Sequence, residues 1–90
     1  MKVRYEVHYS GRVQGVGFRF SAQWIARGFA VTGFVRNLPD GGVQLVAEGE
    51  EKEVDRFLAK IADSMGGNIT RANSQRLEAT GEFSAFEIAR

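Results

Sequence analysis

The chain contains no cysteine and a single histidine, His8. Disulfides, thiolate nucleophiles and cysteine-bearing zinc clusters are therefore excluded, and one imidazole cannot build a histidine metal site. Neither sign of charge is in excess. Twelve Lys and Arg face eleven Asp and Glu, a formal net charge of +1, so nothing in the balance recruits a nucleic acid or an anionic membrane surface. No stretch approaches the ~20 apolar residues that span a bilayer. The opening MKVRYEVHYS alternates polar and apolar residues, unlike a signal peptide, and a cytoplasmic protein is expected. No linker, low-complexity run or repeat interrupts the chain. Any chemistry must come from Arg, Lys, Asp, Glu, Asn, Ser and backbone amides.

Ninety residues, 43% hydrophobic and 26% charged, make one ordinary domain, 1–90, with one modest core. Size and composition favour a monomer. Val3, Tyr5, Val7 and Tyr9 alternate with Arg4, Glu6 and His8, the period of a strand with one buried face. Glycines at 11, 15 and 17 follow. The period then changes: Phe18, Ala22, Ile25, Ala26 and Phe29 share one helical face, which predicts a helix from Phe18 to Phe29. Phe20 and Trp24, four apart, are expected to extend its buried side. A short strand, Val31 to Arg36, leads into NLPDGG at 37–42, whose Asp-Gly signals a hairpin, and Val43 to Glu48 resumes alternation. Val54, Phe57, Leu58 and Ile61 mark a second amphipathic helix. Glu50, Glu51 and Glu53 load its start, and Gly66-Gly67 ends it. A strand is expected within 68–80, where apolar residues are few, and a last one over Phe83 to Ala89. The order β-α-β-β-α-β, with a split or extra C-terminal strand allowed, is that of an α+β ferredoxin-like sandwich: an antiparallel sheet with two helices on one face.

The segment GRVQGVGFRF, 11–20, runs from strand through glycines into a helix N-terminus. Free amides and the positive end of the helix dipole converge at such a place and favour anions, phosphate above all. Arg19 adds a planar fork of donors suited to a phosphoryl group. Val13, Val16 and Phe18 are expected to anchor the loop from beneath. The spacing fits neither a Walker loop nor a dinucleotide fingerprint. On the residues alone two readings stand: an anion cradle, or a tight connection with Arg19 exposed beside it. Asn37, at the entrance to the hairpin, reads most simply as a turn residue. Asp40 and Gly41 shape the turn, and Arg36, Arg71, Arg76 and His8 are at least partly exposed.

Gly11 to Arg19, followed by Gly33-Phe34-Val35-Arg36-Asn37-Leu38-Pro39-Asp40-Gly41-Gly42-Val43, resembles the paired signature segments of the acylphosphatases. The likeness runs from about Val7 to Ile61, fades after Gly67 and returns at Phe86 to Ile88. It implies the same ferredoxin-like fold and hydrolysis of a small-molecule acyl phosphate to a carboxylate and phosphate, without a metal. It further implies a phosphate cradle from the backbone amides of Gln14, Gly15, Val16, Gly17, Phe18 and Arg19. Arg19 is the implied phosphate-binding arginine, and Asn37 the residue that orients the attacking water. The chain departs from the family's pattern at Ala30, at Phe34 and along 68–80. The alternatives are a silent anion-binding module and an RNA-binding module of the same fold, the latter using Phe86 and Phe83 for base stacking.

Overall fold

A computed structural model describes every residue, Met1–Arg90. Alternation over the first residues produces β1, Lys2–Gly11. Helix α1 spans Phe18–Ala26, β2 Thr32–Asn37, β3 Val43–Glu50, α2 Glu51–Met65, β4 Ile69–Glu78 and β5 Phe86–Ile88. Their order across the sheet is β4-β1-β3-β2-β5. The first four strands are antiparallel neighbours, and β5 joins the outer edge of β2 in parallel. The sheet is therefore mixed. The predicted strand at 68–80 and the C-terminal strand both form, the latter shortened to three residues.

Register puts Tyr5 opposite Ala47, Val7 opposite Leu45 and Tyr9 opposite Val43, while Val35 also faces Leu45. These residues define the inner face. Phe18, Ala22 and Ala26 of α1 and Val54, Phe57 and Ile61 of α2 close over it as one core. At ~25 cal/mol per Å² of apolar surface removed from water, that shared cluster is the principal stabilising term. Edge strand β4 is exposed along nearly its whole length and adds backbone pairing more than core.

Two expectations about α1 need correction. The helix stops at Ala26 rather than Phe29, because Arg27, Gly28 and Phe29 donate to carbonyls three residues back, those of Trp24, Ile25 and Ala26. This tighter turn still lays Phe29 on Phe57, with ring centroids 6.0 Å apart, so the apolar period outlasts the helix. Phe20 and Trp24 are each 70% exposed. On a 100° wheel they lie opposite Ala22, and the Arg27 guanidinium covers the Trp24 ring at 5.1 Å. No helix is long and apolar enough to cross a membrane.

Candidate active site

Strand β1 delivers the chain to a loop, Arg12 to Gly17, that is pinned at both ends. The Arg12 amide donates to the Asn68 carbonyl at 2.9 Å. Val13 and Phe18 are buried, and the Phe18 ring meets that of Tyr9 with centroids 5.1 Å apart. Val16 is no anchor: it stands 39% exposed at the crest, because the loop arches outward between its two buried feet.

The arch turns its donors outward. The amides of Gln14 to Gly17 reach no backbone carbonyl. Those of Phe18 and Arg19 lie in the first helical turn, where no carbonyl four residues back belongs to the helix. Gly17 caps α1 without a side-chain bond. Gly15 and Gly17 have φ of +74° and +79°, while Gln14 and Val16 have no positive φ. Alternating signs of φ aim successive N–H groups into one concavity, the geometry of an anion nest. A Cβ at either glycine would meet nothing within 4 Å. The glycines are required for this backbone conformation, not for clearance.

Arg19 is half-buried in the first turn of α1. The arginine ion pairs of the molecule belong to Arg4, Arg56 and Arg76, and Arg19 makes none. No side-chain hydrogen bond or ion pair within the protein occupies its guanidinium, which leaves its donors free.

Asn37 is the last residue of β2 and pairs with Val43. Period two puts it on the face of Val35 and Gly33, the face that carries the helices. Its Oδ1 is buried and accepts no hydrogen bond, an arrangement that costs about 1–3 kcal/mol when no donor arrives. Behind it the turn is well knit. Leu38 N donates to Gly42 O at 2.9 Å and Gly41 N to Leu38 O at 3.2 Å. Gly42 N donates to Asp40 Oδ1 at 2.7 Å, so Asp40 and Gly41 do shape the turn. His8 Nε2 lies 3.1 Å from Asp40 Oδ2.

What ties loop to turn is a side chain of a residue to which the family resemblance gave only a backbone part. Gln14 Nε2 donates to Leu38 O at 2.7 Å and to Gly42 O at 2.8 Å. Nothing in the local pattern marks this, since the spacing between 14 and 38 carries no period. The only clue is residue type: a primary amide has two donors on one nitrogen.

Free amides, an unpaired arginine and an unpaired buried oxygen thus occupy one end of the molecule. The acylphosphatase family model matches residues 5–88. An acylphosphatase of Methylococcus capsulatus is 43% identical over 97% of this chain and 96% of its own length. Another, of Methanospirillum hungatei, is 45% identical over 90% of each chain. Among solved structures, the acylphosphatase of Bacillus subtilis superposes with a TM-score of 0.87 at 28% identity, covering 98% of this chain and 99% of its own. The chain belongs to the acylphosphatase family of enzymes.

Proposed function

We propose that the chain hydrolyses the carboxyl–phosphate bond of a small acyl phosphate, giving a carboxylate and inorganic phosphate. In this reading the amides of Gln14 to Arg19 and the Arg19 guanidinium hold the phosphoryl oxygens, and Asn37 holds the water. The observation that carries it is the concentration of unspent hydrogen-bonding capacity at one end of the sheet. Donors stand free in the loop, and an acceptor stands free at Asn37, while the turn between them is otherwise satisfied.

Phosphoryl transfer asks mainly for positioning and charge stabilisation. The donors meet the charge on the three phosphoryl oxygens. Asn37 Oδ1 accepts one hydrogen of a water and directs its oxygen at phosphorus, in line with the bond that breaks. The water oxygen bonds to phosphorus as the phosphorus–oxygen bond to the acyl group breaks, and the carboxylate leaves with the electron pair. The second proton of the water passes to a phosphoryl oxygen. A carboxylate needs no general acid to depart, which suits a site built without one.

We propose a cytoplasmic monomer that needs no metal or cofactor: the loop amides, Arg19 and Asn37 supply every group the mechanism uses. Base stacking is the less favoured alternative. Phe86 is packed edge-on against Phe57 at 5.2 Å, and Phe83 against Phe34 at 5.8 Å. Hydrolysis of benzoyl phosphate, followed by ultraviolet absorbance with a chelator present, tests the proposal. Turnover that survives the chelator is expected. A well-folded chain without turnover would leave only an anion-binding turn.

A further inference from the structure

We propose that the Gln14 side chain is a positioning residue, a clamp that sets the distance between the phosphate cradle and the water-holding Asn37. This rests on the function proposed above and adds to it a residue that touches neither phosphate nor water through its side chain. Both Nε2 hydrogens are committed, one to Leu38 O at 2.7 Å and one to Gly42 O at 2.8 Å. Those carbonyls are the two feet of the β2–β3 turn. Each also accepts a bond from within the turn, from Gly41 N and Leu38 N respectively. Gln14 therefore closes the turn from outside, at the residue directly after Asn37.

Its own backbone lies at the start of the free-amide run. One residue thus gives its main chain to the cradle and its side chain to the opposite wall. The two walls come from different connections, β1 to α1 and β2 to β3, which the sheet joins through the β1–β3 ladder, with Tyr9 opposite Val43. That ladder aligns the strands, but no hydrogen bond within either connection sets the spacing of the loop from the turn beyond the strand ends. A water placed about 1 Å away from the line of attack loses about 10²-fold in rate, so a fixed spacing has kinetic value. Glutamine suits the position because its length and two donors allow one side chain to hold two carbonyls. Glutamate, which lacks both donors, could not.

Gln14→Met removes the donors at similar length and keeps the cradle amides. Three measurements on the folded variant test the clamp. With benzoyl phosphate, kcat should fall about 10- to 100-fold while the inhibition constant of inorganic phosphate stays within about threefold, because the cradle is intact. Amide hydrogen exchange at Leu38 and Gly41, read by nuclear magnetic resonance, should quicken by about tenfold or more as the turn loosens. In an Asn37→Ala background the same substitution should cost less than about threefold, since there is no longer a positioned asparagine to misplace.

Unchanged exchange at Leu38 and Gly41 would overturn the clamp. Equal cost in both backgrounds would do so too, as would phosphate affinity falling in step with kcat, which would make Gln14 a support of its own loop. Should Gln14→Met not fold, Gln14→Asn, one methylene too short to reach both carbonyls, undergoes the same three measurements. A wild type inactive on benzoyl phosphate would remove the proposed function itself. That failure appears before any variant is made, so the two are told apart.

Discussion

Two arginines stand at opposite ends of the chain's first strand and loop, and the molecule treats them in opposite ways. Arg4 is enclosed. Its Nε donates to Glu6 at 2.9 Å, and its Nη1 to Glu48 at 3.1 Å and Glu82 at 2.7 Å, with the Phe83 ring 5.4 Å away. Burial disfavours its charge, but the carboxylates of Glu82, Glu6 and Glu48 outweigh burial and raise its pKa. Glu48, only 3% exposed, also accepts from Thr80 N, Thr80 Oγ1 and Gly81 N. The 79–83 segment is thereby fastened to the open face of the sheet, where it leads into β5. Arg19 has no ion pair. One guanidinium is committed to the fold and the other, in the proposed mechanism, to a ligand. Function and stability should accordingly separate when each end is altered.

The largest effect is expected at Arg19. Arg19→Ala should lower kcat/KM on benzoyl phosphate by about 10³-fold, since it removes a positioned donor and a charge together. Arg19→Lys should recover little, because a point charge cannot reproduce the planar fork. Thermal unfolding of both should stay near wild type, as no protein partner is lost. If Arg19→Ala unfolded the chain, the contrast with Arg4 would be broken. Next comes Glu48→Ala, which takes one of three carboxylates from the Arg4 guanidinium and strands Thr80 N, Thr80 Oγ1 and Gly81 N. A loss of about 3 kcal/mol in urea unfolding is expected, with activity per folded molecule unchanged. Asn37→Ala should then reduce kcat by about 10²-fold and leave inhibition by inorganic phosphate nearly as strong.

Acid sharpens the comparison further. Burial would raise the Glu48 pKa, but hydrogen bonds from Thr80, Gly81 and Arg4 outweigh it and hold the carboxyl below the ordinary glutamate range. The unfolded chain therefore binds this proton more readily than the folded one. The stabilisation is fully present above the ordinary range and is lost as pH falls through the lower folded value. Urea midpoints measured down a pH series should show a shallower acid loss in Glu48→Gln than in wild type. The smallest effect is expected at Trp24→Ala. With the ring 70% exposed, stability should change by no more than about 0.5 kcal/mol. A larger loss would mean that its contact with Arg27 matters more than its exposure implies.

Periodicity made β1, the hairpin and α2 legible, because each buries one face and alternates or repeats accordingly. It could not end α1 correctly, since Phe29 reaches the core from a tighter turn and continues the apolar series beyond the last helical bond. It also misplaced Phe20 and Trp24: two aromatics four apart share a face, but their spacing does not say which one. Glu48 was invisible for the converse reason. A glutamate at the polar position of a strand reads as solvated, and only Arg4, Thr80 and Gly81, brought in from distant parts of the chain, bury it. At the candidate site, glycines preceding a helix with Arg19 beside them left an anion cradle and a tight connection both open, and the family resemblance chose the cradle. Asn37 alone read as a turn residue and gained its part from the family resemblance. The Gln14 side chain could be assigned only once its two acceptors, 24 and 28 residues away, were in place.

The position of β1 in the sheet has a kinetic consequence. It lies between β4 and β3, so Val3 pairs with Gly49 on one side and with Glu78 on the other. Within these ninety residues β1 must wait for about half of them to find one neighbour, and for nearly all of them to find the second. Such non-local pairing slows folding towards about milliseconds or longer. Because β3 must insert between β1 and β2 before loop and turn can meet, the proposed phosphoryl site is not assembled in a nascent or partly folded chain. It arrives with the finished sheet.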